Sequence, residues 1–173
     1  MEQLNGIHQE FIDNACYRMD ESLRMIDKCF SQLTEEQVWI KPNDVANSIG
    51  NLILHLCGNI TQYGISSLKD LEDKRNRDVE FETESGYSKK ELLEKLTSTV
   101  NEAKSSFKTS EKSNLLRRRK VQGFEFSGIG NIVHVVEHFS YHTGQIALWT
   151  KILNGKDLGF YEDFDLNIKN EKK

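Results

Sequence analysis

The sequence predicts an all-α protein, an antiparallel four-helix bundle with long interhelical connections. Three observations carry that reading. Four segments of roughly 20 to 30 residues place apolar side chains at steps of three or four, the period of a helix with one buried face. Proline occurs once, at Pro42, between two of the periodic segments, so long helices can run without a proline break. Strand-like alternation is nearly absent. With 173 residues the chain reads as a single domain, 1–173, large enough to bury a real core.

The first helix is expected over about 4–33. Its apolar row is Leu4, Ile7, Phe11, Ala15, Met19, Leu23, Ile26, Phe30 and Leu33, and Glu10, Asp13, Arg18, Asp20 and Lys28 occupy the opposite face. Thr34 with Gln37 resembles a capping box for a short helical turn. Pro42 fixes an extended connector, and Asn43-Asp44 or Asn47 can cap the next helix. That second helix, about 48–69, is apolar nearly all round, which suits a central position in a bundle. Val45 to Leu68 contains no Asp, Glu, Lys or Arg. It does contain Asn47, Asn51, His55, Asn59 and Gln62, too many polar groups for a lipid-exposed span, so no membrane partner is expected. Residues 70–87 are charged and read as a connector. Ser88 with Glu91 is a capping box for the third helix, about 88–109, whose row is Leu92, Leu96, Val100, Ala103 and Phe107. Residues 110–126 read as a second connection, including the basic run Arg117-Arg118-Arg119-Lys120 as a solvated stretch. Ser127 can cap the fourth helix, about 128–153, which stops at Asn154-Gly155. The tail to Lys173, with Phe160, Tyr161, Phe164 and Leu166, is expected to pack partly back on the body.

Net charge is −4, with acids and bases interspersed, which argues against nucleic acid or an anionic membrane as partner. Cys16, Cys29 and Cys57 form no CxxC or metal-finger spacing, and an odd count makes a poor disulfide framework. A reducing, cytoplasmic location fits. No basic region followed by an apolar run marks a signal peptide.

The chemistry concentrates in His134, His138 and His142, which recur every four residues of an apolar helical segment. Four residues advance ~6 Å and turn ~400°, so neighbours in the row share a face and two imidazoles can reach one ion. The first and third are ~12 Å apart along the axis and cannot. One adjacent pair can therefore chelate, and His138 belongs to both possible pairs. A third histidine must come from elsewhere: His55, on the uncharged second helix, or His8, on the amphipathic first. Several imidazoles in one core need a reason, because an unsatisfied buried polar ring costs roughly 1–3 kcal/mol. A shared cation supplies one. Asn51 and Asn59, four residues either side of His55, can orient its ring or pair with backbone. Gln145 and Tyr141 follow His142 and His138 by three and can serve as supporting groups. Glu137 turns ~100° away from His138 and is expected to pair with His134 or an exposed base. Cys57 points away from His55 and reads as core.

Asn-Ser-Ile-Gly-Asn-Leu-Ile-Leu-His-Leu-Cys-Gly-Asn at 47–59, together with His-Val-Val-Glu-His-Phe-Ser-Tyr-His-Thr-Gly-Gln-Ile at 134–146, resembles the DinB/YfiT-like superfamily. More narrowly it resembles a bacterial branch of unknown function. The resemblance covers nearly the whole chain. It implies a four-helix bundle with a divalent metal on three histidines, one from the second helix and two from an HxxxH on the fourth; the matching positions are His55, His138 and His142. His134 is then an extra histidine one turn too early, with an open role. The resemblance also implies homodimers, and relatives that transfer or use low-molecular-weight thiols such as bacillithiol or mycothiol.

Three neutral imidazoles would leave a divalent ion with its full charge and an open position. Zinc is the first expectation, with nickel, iron(II) or manganese also compatible with imidazole. Such an ion lowers the pKa of a bound water or thiol. The expected function is therefore a metal-dependent enzyme, a thiol S-transferase or a hydrolase, acting through a small thiol or water on a small electrophile. His134 and Tyr141 are the candidate catalytic residues. The alternative is a non-catalytic, stress-related metal-binding bundle in which the ion staples the second helix to the fourth.

Overall fold

The computed structural model describes residues 2–170, with side chains from Gly6 onward. Helix α1 runs Glu2–Gln32, and a single 3-10 turn, Gln37–Trp39, leads towards α2, Ile49–Asn59. The same helical path continues through a π-helical stretch, Ile60–Ser66, into a last turn, α3, Ser67–Lys69. A short helix α4, Arg77–Glu82, precedes α5, Lys89–Thr109. Helix α6, Lys112–Leu116, and a hairpin of β1, Arg118–Val121, with β2, Phe124–Ser127, lead into α7, Gly128–Asn154. The four long segments are those expected, and no described helix is long and apolar enough to cross a membrane.

Side chains set the helix ends. Ser48 caps α2 reciprocally with Asn51, so the cap is Ser48 itself rather than Asn43, Asp44 or Asn47. Asn43 instead folds its own turn, its Oδ1 accepting from Val45 and Ala46 N–H. Ser88 and Glu91 form the expected box on α5. Ser127 accepts from Gly130 N–H at the start of α7, and Gly155 ends that helix at φ 62°, left-handed backbone that glycine adopts without strain.

Cross-chain contacts give the helix directions. Ala15 lies near Ile132 and Val136, and Gln32 accepts from Asn154, so α1 runs parallel to α7. Lys104 pairs with Asp20, and Lys89 reaches the Leu33 carbonyl, so α1 is antiparallel to α5. His55 meets His138, and Ser67 meets Asn131, so α2 is antiparallel to α7. Cys57 shares a cleft with Lys95 and Thr99, while Gly64 faces Phe107, so α2 and α5 run the same way. The bundle is thus up-down-down-up, with antiparallel pairs α1/α5 and α2/α7. Because α2 and α5 share a direction, the chain must travel back along the bundle between them. That return accounts for the long stretch after Lys69.

The return is more than a connector. Residues 77–82 form α4, which packs on α2 and buries Glu80. The second connection also differs from expectation. Arg118, Arg119 and Lys120 lie in β1 rather than in an irregular connector, while Arg117, Arg118 and Lys120 are solvent-exposed as expected. Gln122 and Gly123 turn the hairpin with φ 51° and 84°, the paired left-handed conformation of a tight hairpin turn. Arg117 pairs with Asp70, Arg118 with Glu125, and half-buried Arg119 donates to Asn114. Strands of four residues leave too short a period to detect in sequence.

The core is built from the expected rows, with one drift. On α1, Ile7 is 68% exposed and Phe11 and Leu23 are half-buried, while Ile12, Ala15, Cys16, Met19, Ile26, Cys29 and Phe30 are buried. A row stepping by four drifts ~40° per step around a 3.6-residue helix, so Ile7, Phe11 and Leu23 fall at the edges of the buried face. Leu4 lies outside the described side chains. Cys57 is core, its thiol pushed up to about 11, chiefly by burial. The tail packs back through Leu158 and Phe160, held by Gln32 and Arg24, whereas Tyr161, Phe164 and Leu166 are exposed. Residues 171–173 lie outside the described residues.

The π-helical stretch has a local purpose. His55, Asn59, Tyr63 and Ser67 step by four, and all face α7, against His138, His134, His134 and Asn131 respectively. A regular helix would rotate that row away by the same ~40° per step. The wider turn takes up the drift.

Candidate metal centre

His55 projects from the middle of α2, and His138 and His142 from the middle of α7. One ligand nitrogen from each lies within 4.8 Å of the others, so the three could hold a metal ion. His55 Nε2 and His138 Nε2 are 2.9 Å apart. A metal with nitrogen bonds of about 2.0–2.1 Å sets tetrahedral ligand nitrogens ~3.3 Å apart, so this pair is already close to bonding separation. His55 and His142 are buried, and His138 is half-buried, which places the accessible side at His138.

The adjacent pair on α7 is therefore His138 with His142. His134 stacks against His138 with centroids 5.3 Å apart, between the rings of Tyr63 and Phe126, and Asn59 Nδ2 lies 3.2 Å from its Nε2. His8 is not part of the group. Tyr141 is 62% exposed, its ring edge-on to His142 at 4.9 Å.

The supporting polar groups divide. Gln145 Oε1 lies 2.7 Å from His142 Nδ1. A carbonyl oxygen accepts, so Nδ1 carries the proton and the Nε2 lone pair is free for a cation. Asn51 makes no hydrogen bond to His55. It is spent on the Ser48 cap and on the carbonyls of Glu80 and Thr83. The group that does meet His55 is one that sequence reasoning missed, Glu80, whose Oε2 is 2.9 Å from Nδ1. Arg75 grips the same carboxylate through Nε at 2.7 Å and Nη2 at 2.8 Å, and Gln62 accepts from its Nη1. Burial would raise the Glu80 carboxyl, but the hydrogen bonds and charges of Arg75 and His55 outweigh it and hold it below the ordinary range. One sequence signal pointed here: Gly58, in an otherwise apolar helix, marks a close approach, and Glu80 and Arg75 are what approach.

Burial, followed by the charges of His142, His55, His134 and Arg75, pushes His138 down to about 3. Burial also lowers His142, against the Gln145 hydrogen bond, and His134, against Glu137. All three rings stay neutral at pH 7, the form that binds metal. Unfolded, they take up protons near 6.5. The unfolded state then binds more protons, so the metal-free protein loses stability as pH falls below about 6.5. Denaturation midpoints of metal-free protein should decline between about pH 7 and 5, above the carboxylate range; a flat midpoint would mean the rings are not buried neutral.

The fold and site define a class, a helical bundle that gathers three imidazoles from two helices into one candidate metal centre. The chain belongs to a family described as proteins of unknown function (DUF1572), whose model matches residues 6–161. Its fold is shared with a solved DinB-like protein. A conserved protein from Enterococcus faecalis superposes with a TM-score of 0.63 at 18% identity, covering 87% of this chain and 97% of that one. A DinB-like protein (YjoA) from Bacillus subtilis superposes with a TM-score of 0.61 at 11% identity, covering 83% and 91%. No curated protein matches the chain.

Proposed function

We propose that this protein is a divalent-metal-dependent enzyme that joins a small thiol to a small electrophile. The observation that carries the reading is the convergence of His55, His138 and His142 within 4.8 Å, with no protein carboxylate in the group. The donor set fits a borderline cation: zinc first, with nickel, iron(II) and manganese as further choices. When bound, such an ion supplies Lewis acidity and favours the thiolate form of a thiol at neutral pH.

The chain's own residues supply the rest. Glu80 and Gln145 face Nδ1 of His55 and His142, which directs each Nε2 to a common point. Half-buried His138 is the ligand nearest solvent and so marks the side from which a small molecule enters. Tyr141 at the rim and His134 beside His138 are the two groups placed to accept or return a proton. The hairpin walls this side, with Phe124 stacked on Phe126 and Phe126 on His134.

The test uses the protein loaded with cobalt(II). Adding a small thiol such as 2-mercaptoethanol should change the visible spectrum. Adding an electrophile such as monobromobimane should then give conjugate faster than the metal-free protein does. An unchanged spectrum would favour the second reading, a non-catalytic ion stapling α2 to α7. The burial of His55 and His142 supports that alternative.

A further inference from the structure

Glu80 reaches His55 from outside the bundle, and three separate devices bring it there. Asn51, at the first turn of α2, donates through Nδ2 to the carbonyls of Glu80 at 3.0 Å and Thr83 at 2.6 Å, so α4 is tied down by its backbone. Gly58 leaves the helix surface bare where the carboxylate lies. A Cβ there would stand 1.9 Å from Glu80 Oε1 and 2.8 Å from Arg75 Nε. Arg75 then closes on the carboxylate as a two-pronged fork, its side chain 4% exposed.

This assembly bears on which His55 nitrogen carries the proton. Two partners face Nδ1: Glu80 Oε2 at 2.9 Å, which can only accept, and Arg75 Nη2 at 3.1 Å, which can only donate. They demand opposite tautomers. With the proton on Nδ1, the Nε2 lone pair points into the histidine cluster. With Nδ1 bare, Nε2 carries the proton into the cluster and cannot ligate. The fork decides. Nε and Nη2 of Arg75 lie 2.7 and 2.8 Å from the two Glu80 oxygens, a charge-assisted pair shorter than the Arg75–His55 approach. Nη2 keeps a second N–H, but its 3.1 Å approach to Nδ1 is the longer one, and the carboxylate held at 2.9 Å accepts from Nδ1–H.

We propose that Glu80, framed by Gly58, Asn51 and Arg75, is a positioning residue that presets His55 with its proton on Nδ1 and its lone pair facing the cation. This rests on the metal-centre reading above and adds to it a specific residue and tautomer. The isosteric change Glu80→Gln keeps the shape, removes the charge and offers an N–H to Nδ1. It should move the His55 proton to Nε2.

The primary readout needs no metal. Long-range 1H–15N correlation spectra of the full-length, metal-free protein should show His55 protonated at Nδ1 in the wild type and at Nε2 in Glu80→Gln. Cobalt(II) affinity should fall about 10- to 100-fold in that variant, the usual cost of losing a partner behind a metal-bound histidine. Gly58→Ala, which changes no group touching the ring, should lower cobalt affinity in the same direction. An unchanged tautomer in Glu80→Gln, or cobalt affinity equal to wild type, overturns the proposal. A wild type that binds no cobalt overturns the metal-centre reading instead, and the spectra still decide whether Glu80 sets the tautomer.

Discussion

Replacing His138 by Ala should abolish stoichiometric metal binding, raising the dissociation constant at least ~100-fold, since losing a partner behind a ligand already costs 10- to 100-fold. His138 is the ligand to choose because it is shared. Its Nε2 is 2.9 Å from that of His55, and its ring lies 4.5 Å from that of His142. Without it, two imidazoles on different helices remain, one donor short of the three that hold a typical open site. The fold should survive, because His138 is half-buried and carries no capping or core role. Metal content by elemental analysis of untagged protein, beside circular dichroism, separates ligand loss from unfolding. His134→Ala is the matched control: the ring next in the row, outside the group, should leave the metal in place. Full metal content in His138→Ala would overturn the assignment of the centre.

The second large effect is expected away from the histidines. Arg75→Ala should destabilise the protein by about 3–5 kcal/mol, the usual result of stripping one partner from a buried ion pair. The side chains of Arg75 and Glu80 are 4% and 9% exposed, so little water can replace the lost guanidinium. The Glu80 carboxylate would keep only His55 as a hydrogen-bond partner, and Gln62 would lose its donor. At roughly 2–4 °C per kcal/mol for a chain of this size, the melting temperature should fall by roughly 6–20 °C. A double variant, Arg75→Ala with Glu80→Ala, should cost less than the sum of the two single changes, because the buried charge goes with its partner. A loss below about 1 kcal/mol for Arg75→Ala would mean that the pair behaves as a solvated one.

The range of each interaction decides how far it can be read from sequence. The His138/His142 geometry is local: four residues in one helix suffice, and the row allows only one adjacent pair. Choosing that pair over His134/His138, and His55 over His8, needs either the resemblance or the packing of α2 against α7. Glu80 is out of reach for a different reason. It stands among Asp78, Glu82 and Glu84 in a charged segment, and nothing local distinguishes the buried acid from its exposed neighbours. Its burial comes from α4 docking on α2, and a six-residue helix is too short to show a period. The traces lie on the other side of the contact. Gly58 and the polar Asn51 sit within an otherwise apolar helix, each a sign that something must be accommodated there. By spacing Asn51 is a neighbour of His55, yet it acts on α4 instead.

The hairpin and the helix directions are hidden by the same locality. Two four-residue strands carry no detectable alternation, and a row of apolar side chains specifies a buried face without saying which way its partner runs. The length of the 70–87 stretch is the available clue, since a chain that must retrace the bundle needs more residues than one that simply turns.

The wide turn at Ile60–Ser66 has a consequence for kinship. A π-helical stretch spends more chain on each revolution than an α-helix does. A relative whose second helix is regular throughout would reach the level of Ser67 with a shorter count from its own equivalent of His55. Matching the two chains position by position would then slip out of phase beyond Asn59, pairing buried side chains with exposed ones. A gap opened inside this stretch would restore the correspondence, recording a change in winding rather than a missing piece of the protein.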